Sequence, residues 1–347
     1  MRAATGAGSW MRRAAVPAVV LVALVGCSPS PPPSSPSPSP ASLATSTPTT
    51  APTPTPAATP TPTPTPAPDA GPLPEGAVTA LLLGTDSRTP DSFEGNADAI
   101  VIVQLSADRE TLALISVTRD SWVTIPGVGE SKINAAFARG GAELMQATLS
   151  ELLGGLEFDY VLQTGFDGFV GLIEAVDGVT VDNATPAIAR YSTRGEVSET
   201  GIAYDFTADP IDLVDQESIL FVRQRYGLPY GDLDRTERTR ATIIGLLERL
   251  DELAADPPAL TAALVHIMAQ LRITGELQVA DLVALTELSG TLQRDDILSL
   301  MAPIEGSTGR AGASVNVVDA ARSAELGEAL RAGDVQSYVD RYGTDYP

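Results

Sequence analysis

The sequence predicts an α/β fold, a mixed central β-sheet sandwiched between α-helices. Three observations lead there. Short apolar runs closed by Gly or polar turns crowd residues 77–115. Helical apolar stripes dominate after residue 203, and strand-like runs return near residues 297 and 314. Strands early, helices around them and strands late describe a sheet that needs cover on both faces. The chain carries no internal repeat.

Taken in order, Ala77–Leu83 reads as a buried strand ending at Gly84. Ala99–Leu105 and Thr111–Ile115 read as two more strands, joined by the polar turn Ala107-Asp108-Arg109-Glu110. A helix over Ala142–Leu153 stops at Gly154-Gly155, where a left-handed cap is favoured. Tyr160–Gln163 is a short strand. Phe166, Phe169, Val170, Ile173 and Val176 then recur at helical spacing, and Val179–Val181 opens another strand. Such a stripe fills a core or walls an apolar ligand site. Segments 215–222, 235–255, 258–272 and 279–292 have helical stripes, with Asp256-Pro257-Pro258 as a break. Strands at Ile297–Leu300 and Ser314–Val317 precede closing helices.

Ahead of this domain, Arg2, Arg12 and Arg13 precede an apolar stretch, Ala14–Val25, too short to span a bilayer comfortably. It runs into Leu24-Val25-Gly26-Cys27, which resembles a bacterial lipobox, and Cys27 is the only cysteine. Residues 1–27 are therefore expected to be a lipoprotein signal peptide, with Cys27 the lipidated residue that anchors the protein on the outer face of the membrane. Residues 28–75 form a Pro/Ser/Thr-rich disordered stalk whose Thr-Pro repeats favour polyproline II, with a reach on the order of 140 Å. Residues 76–345 form one domain.

Composition excludes several functions. A formal charge of −22 over 347 residues disfavours nucleic acid as a partner. One histidine, His266, on an apolar helical stretch, leaves no parts for a Ser-His-Asp or Cys-His hydrolase or a histidine-ligated zinc site.

Against that acidic background, arginines gather in three places. Asp86 and Arg88 lie in Gly84-Thr85-Asp86-Ser87-Arg88, with Asp98 opening the next strand. Arg119-Asp120 follows the third strand. Arg223, Arg225, Arg235 and Arg238 fall within sixteen positions of one another. Guanidinium forks suit phosphate oxygens, and one or two carboxylates suit Mg2+ shared with a phosphate. Asp86 and Asp98 are candidate metal ligands, or a turn cap and a strand start. Arg223 and Arg225 leave the same face if their segment is extended. Arg235 and Arg238 share one side of a helix that Asp232 or Asp234 can cap. Their alternative use is surface ion pairing with Asp232, Asp234 and Glu237.

The stretches LLLGTDSR (81–88), DAIVIVQLS (98–106), ISVTRDSWVTIPGVGESKINAAFARGG (115–141), FDYVLQTGFDGFVGLIEAVDGVTVDN (158–183), QESILFVRQR (216–225) and GDLDRTERTR (231–240) resemble, in this order, the LytR-CpsA-Psr family of cell-wall enzymes. The resemblance implies a three-layer catalytic domain over 76–345. It also implies transfer of a glycopolymer of teichoic-acid, capsule or arabinogalactan type from a polyprenyl diphosphate donor to a peptidoglycan acceptor. By it Asp86 and Asp98 would hold Mg2+, and Arg119, Arg223, Arg225, Arg235 and Arg238 the diphosphate, with Arg88 a further contact. Arg119 and Asp232 are then the candidate catalytic residues, with Asp232 or Asp120 assisting the incoming hydroxyl. A polyprenyl diphosphatase and a non-catalytic polyprenyl-phosphate-binding lipoprotein use the same residues. Three departures from the family pattern stand out: Asn96-Ala97 replaces Arg-Ser before Asp98, Thr239-Arg240 replaces glutamines, and a lipobox replaces the usual transmembrane helix.

Overall fold

The computed structural model describes residues 75–87, 93, 95–192, 201–275, 281, 283–284, 292 and 294–344. The leader with Cys27, the stalk up to residue 74, Arg88 and most of the 279–292 stripe lie outside the described residues.

The β-branched and leucine-rich runs form β1 (Val78–Thr85), β2 (Ala97–Leu105) and β3 (Leu112–Ser116), an antiparallel meander. Next come β4 (Ser121–Ile125), β5 (Gly129–Lys132) and helix α1 (Asn134–Leu152). Then β6 (Tyr160–Thr164) leads directly into α2 (Phe166–Glu174), followed by β7 (Val179–Val181). The short strands β8 (Ala187–Tyr191), β9 (Ile202–Phe206) and β10 (Ile211–Leu213) precede α3 (Asp215–Arg223), α4 (Asp232–Leu253) and α5 (Pro257–Ala269). The chain closes with β11 (Arg272–Thr274), β12 (Ile297–Met301), β13 (Ile304–Arg310), β14 (Ala313–Val318), α6 (Ala320–Ala332) and α7 (Val335–Tyr342).

Among the described residues, six strands make the central sheet in the order β11-β6-β1-β2-β3-β12. It is mixed: β6 runs parallel to β1 and β12 to β3, while the other neighbours are antiparallel. Alternation sorts the side chains between two layers. Leu81, Leu83, Ile100, Ile102 and Ile115 pack against α1 and α6. On the other face, Val101 and Leu114 meet Ile244 of α4. Beyond them, α2, α3, α4 and α5 enclose a second core around Phe206 and Phe221. The expected mixed sheet between helices is present.

The β1–β2 ladder contains one irregularity. Gly84 pairs with Ala99 but Thr85 pairs with Ala97, so Asp98 is an extra residue in β2. A β-bulge of this kind bends the strand and re-aims the side chain it carries.

The structure corrects the sequence reading in several places. Helix α1 starts at Asn134, eight positions before the expected 142, because Gly140 and Gly141 break helical backbone angles inside it and hide the early stripe. Neither Asp232 nor Asp234 caps α4, which has Gly231 at its N-cap position. The Asp234 carboxylate instead accepts the Tyr230 amide at 2.6 Å. Asp256 does cap α5, accepting from Ala259 at 3.3 Å ahead of the two prolines. Within the described residues, no helix is long and apolar enough to cross a membrane.

Candidate active site

At the end of the sheet where β1 stops and β2 starts, an open cleft lies between the strand ends, α2, α3 and the start of α4. The parallel pair β1 and β6 delivers both carboxyl ends there, with Gly84 beside Thr164. Open α/β sheets expose their ligand-binding loops at such strand ends.

The acids come from the hairpin. Asp98, set free of the ladder by the bulge, lines the cleft with Gly84, Thr85 and Ala99. Asp86 follows the lining residue Thr85. Its Oδ1 accepts the Asn96 amide at 2.8 Å and its Oδ2 accepts Asn96 Nδ2 at 3.3 Å. Gly95 has φ +113, and a Cβ there would collide with Asp86 Oδ1. Asn96, which departs from the family pattern, thus holds the Asp86 carboxylate mainly through its backbone amide, and its side chain adds the longer second bond.

Arg119, on the turn from β3 to β4, links three elements. Its Nη1 donates to Asp98 Oδ1 at 2.6 Å, and its Nε is 3.6 Å from Asp232 Oδ1. Asp232, in the first turn of α4, is clamped in turn by Arg235. Nε donates to Oδ1 at 2.8 Å and Nη2 to Oδ2 at 3.1 Å, while Arg235 Nη1 donates to the Asp98 carbonyl at 2.7 Å. The result is a continuous chain of alternating charge, Asp98–Arg119–Asp232–Arg235. Burial works to lower the Arg119 pKa, but Asp98 and Asp232 outweigh it and raise it above its ordinary value. Burial likewise works to raise Asp232, yet Arg235, Arg119 and Arg225 hold its carboxyl below the usual range. A depressed carboxylate with both oxygens on guanidinium groups is a weak proton acceptor and a strong positioning group.

Arg223 and Arg225 complete the arginine lining of the cleft. Arg223 ends α3 rather than lying in an extended segment, and its guanidinium stacks 4.4 Å from the Phe166 ring. Gln224 then turns to extended angles, which returns Arg225 to the same cleft. Arg225 forms no ion pair or hydrogen bond among the described residues, and its guanidinium lies 5.8 Å from the Tyr226 ring. Beneath these arginines, burial pushes the Tyr191 phenol up to about 12, and it donates to the Leu220 carbonyl at 2.7 Å.

The cleft also has an apolar lining. Phe166 and Phe169 of α2 face Ile219 and Val222 of α3 across it. The Phe166–Val176 stripe is therefore divided, because Val170, Ile173 and Val176 lie in the packed core. Phe169 belongs to the stripe read as a core or ligand wall, whereas nothing in the sequence reading marks Thr164 and Gly165, at the end of β6, as site residues.

Arg238 lies elsewhere. Its guanidinium is buried, donating to Thr185 Oγ1 at 2.9 Å, to the Thr185 carbonyl and to Gln224 Oε1 at 2.7 Å, and it stacks 4.2 Å from the Phe221 ring. It does not line the cleft, and ligand contact would require it to give up these partners. Arg240 donates to Ser299 on β12 at 2.8 Å and is also away from the cleft, whereas Thr239 lines it. Asp120 pairs with Lys132 at 2.6 Å and does not line the cleft, although its charge adds to the field on Arg119. His266 is exposed in the last turn of α5. Arg88 and Cys27 fall outside the described residues.

Glu237, between these arginines on α4, has a buried Oε2 with no hydrogen-bond partner. Burial raises its pKa more than Arg240 and Arg238 lower it. Its folded value exceeds its unfolded value, so protonation favours folding at low pH and that gain fades as pH rises through the raised value. Glu237→Gln is expected to stabilise the protein at neutral pH by about 1 kcal/mol. Thermal melts at several pH values should show the gain shrinking toward acid.

The LytR_cpsA_psr family model matches residues 49–332. The chain belongs to this family. The polyisoprenyl-teichoic acid--peptidoglycan teichoic acid transferase TagU of Bacillus cereus (strain AH820) is 30% identical over 173 residues, 50% of this chain and 52% of that one. The chain thus spans about half the length of the curated relatives it matches. Among solved structures, B. subtilis TagV superposes with a TM-score of 0.62 at 20% identity, covering 77% of this chain and 99% of that one. TagT bound to LI-WTA gives a TM-score of 0.55 at 22% identity over 74% of this chain and 90% of that one. These likenesses establish the shared LytR_cpsA_psr fold.

Proposed function

We propose that this protein transfers a glycopolymer from a polyprenyl diphosphate carrier to peptidoglycan by phosphoryl transfer. One observation carries the reading: a single cleft lined both by arginines and by apolar side chains of α2 and α3. A lipid diphosphate has the same division, an anionic head on a greasy tail. The TagU relative, named for polyisoprenyl-teichoic acid and peptidoglycan, and TagT bound to LI-WTA agree with this substrate class.

In this reading Arg119, Arg223, Arg225 and Arg235 grip the diphosphate, while Phe166, Phe169, Ile219 and Val222 take the start of the isoprenoid. Asp98 and Asp86 suit Mg2+: they offer only oxygen donors, and each carboxylate keeps acceptor capacity beyond the bonds described above. Among the described residues no group of three or more His, Cys, Asp or Glu side chains is gathered as a metal centre, so here Mg2+ would rest on these two carboxylates and the phosphate oxygens. The bound ion would neutralise charge on the phosphates. An acceptor hydroxyl oxygen then bonds to the phosphorus that bears the glycan. The bond from that phosphorus to the bridging oxygen breaks, and the hydroxyl proton leaves with the polyprenyl phosphate. Such transfer depends on positioning and charge neutralisation more than on a strong base. Asp232 serves here by fixing Arg119 and Arg235. Lipidation at Cys27, with the stalk as a spacer, would keep the domain on the outer side of the membrane.

The test is incubation of the full chain with a labelled polyprenyl-diphosphate glycan, peptidoglycan and Mg2+. The expected product is label joined to peptidoglycan through a phosphodiester, lost on chelation of the metal. Release of the glycan phosphate to water alone would make the protein a diphosphatase. Tight donor binding without any product would make it a carrier.

A further inference from the structure

The loop between α3 and α4 leaves the cleft at Arg225 and returns to it at Arg235, both of which line the cavity. It is pinned from inside at three points. Gln224 Nε2 donates to the Ile188 carbonyl at 3.3 Å and to the Tyr226 carbonyl at 3.1 Å. Leu228 is buried, and the Tyr230 amide is held by Asp234. A loop so constrained nonetheless turns its two aromatic rings outward: Tyr226 is 68% exposed and Tyr230 55%. Ile188, whose carbonyl the loop grips, is 52% exposed beside them.

We propose that Tyr226 and Tyr230 form a platform for the sugar rings of the acceptor glycan. The inference rests on the transferase reading above and names the acceptor side of that site. Three features favour this occupant. The lipid of the donor claims the apolar lining from α2 and α3, so the acceptor reaches the arginine-held phosphate from another side. Tyrosine offers a flat apolar face for the C–H groups of a sugar and a hydroxyl for its polar edge, at low ordering cost. The formal charge of −22 opposes docking of this rim on an anionic lipid surface and does not oppose an amino-sugar chain with neutral acetamido groups.

The experiment compares the full-length wild type with Tyr226→Ala/Tyr230→Ala and Tyr226→Phe/Tyr230→Phe. Calorimetry would measure binding of soluble uncrosslinked peptidoglycan strands and, separately, of geranyl diphosphate. The alanine pair is expected to weaken strand binding about tenfold, with diphosphate affinity and melting temperature unchanged. The phenylalanine pair should retain most of the strand affinity. Wild-type strand affinity in the alanine pair would overturn the platform. So would a wild type that binds geranyl diphosphate but no strands, and the transferase reading would then survive without it. Loss of binding to phosphatidylglycerol vesicles, with strand binding intact, would reassign the rim to the membrane. A wild type that binds no geranyl diphosphate would bring down the transferase reading and this inference together.

Discussion

Replacing Asp232 with alanine is expected to cost the fold about 2–3 kcal/mol and to reduce transfer at least a hundredfold. Asp232 is the carboxylate that two guanidiniums share, Arg235 through two hydrogen bonds and Arg119 at 3.6 Å. Removing one partner from a buried ionic chain leaves the remaining charges uncompensated, the most damaging change for such a network. The loss is smaller than for a fully buried pair because Asp232 keeps 19% of its side chain exposed and Arg119 retains Asp98. Denaturant unfolding would measure it. The pH dependence supplies a second check. The folded carboxyl binds its proton more weakly than the unfolded one, whose ordinary value is 3.8. Its contribution is therefore complete above that value and drains away as pH falls through the depressed one. The alanine variant should show shallower acid destabilisation than the wild type. Asp232→Asn should recover part of the stability, since it can still accept from Arg235, but little of the acid dependence.

Arg225→Ala is expected to behave in the opposite way, with stability changed by less than about 0.5 kcal/mol and transfer slowed about a thousandfold. Arg225 stands at the cleft without an ion pair or hydrogen bond among the described residues, so truncation breaks little inside the protein. Its charge instead meets whatever anion the cleft receives. An arginine aimed at charge that grows in a transition state contributes far more to rate than to folding. Melting curves and initial rates on the same preparations would separate the two. A variant that transfers at the wild-type rate would remove Arg225 from the site. Arg225→Lys should restore only part of the rate, because an ammonium lacks the planar fork.

Much of this architecture was legible because it obeys simple periods. β1, β2 and β3 are near-continuous apolar runs between turn residues, and the α3 and α4 stripes emerged within a few positions of their true ends. Other elements carry no such signal. β13 reads Ile-Glu-Gly-Ser-Thr-Gly-Arg, a strand made by pairing with β14 rather than by its own propensity. The site shows the same division. Chemistry and spacing singled out Arg119, Arg223, Arg225, Arg235 and Asp98, and all five line one cleft. Arg238 was grouped with Arg235 because three positions share a helix side. Those positions still differ by about 60° around the axis, and the packing of α4 against Phe221 and Gln224 decides which of them meets the cavity. Rotation of a helix about its own axis is a tertiary quantity, and no local pattern encodes it.

The surplus residue at Asp98 has a consequence for how this hairpin tolerates change in length. In an uninterrupted ladder continuing from Gly84 and Ala99, Asp98 would stand opposite Thr85. It would then share the side of Leu83 and Ile100, which is packed under α1. Excising Ala97 would thus drive a carboxylate into oil and strip Arg119 of its 2.6 Å partner at one stroke. The step from Asn96 to Ile100 is fixed in number as firmly as a reading frame.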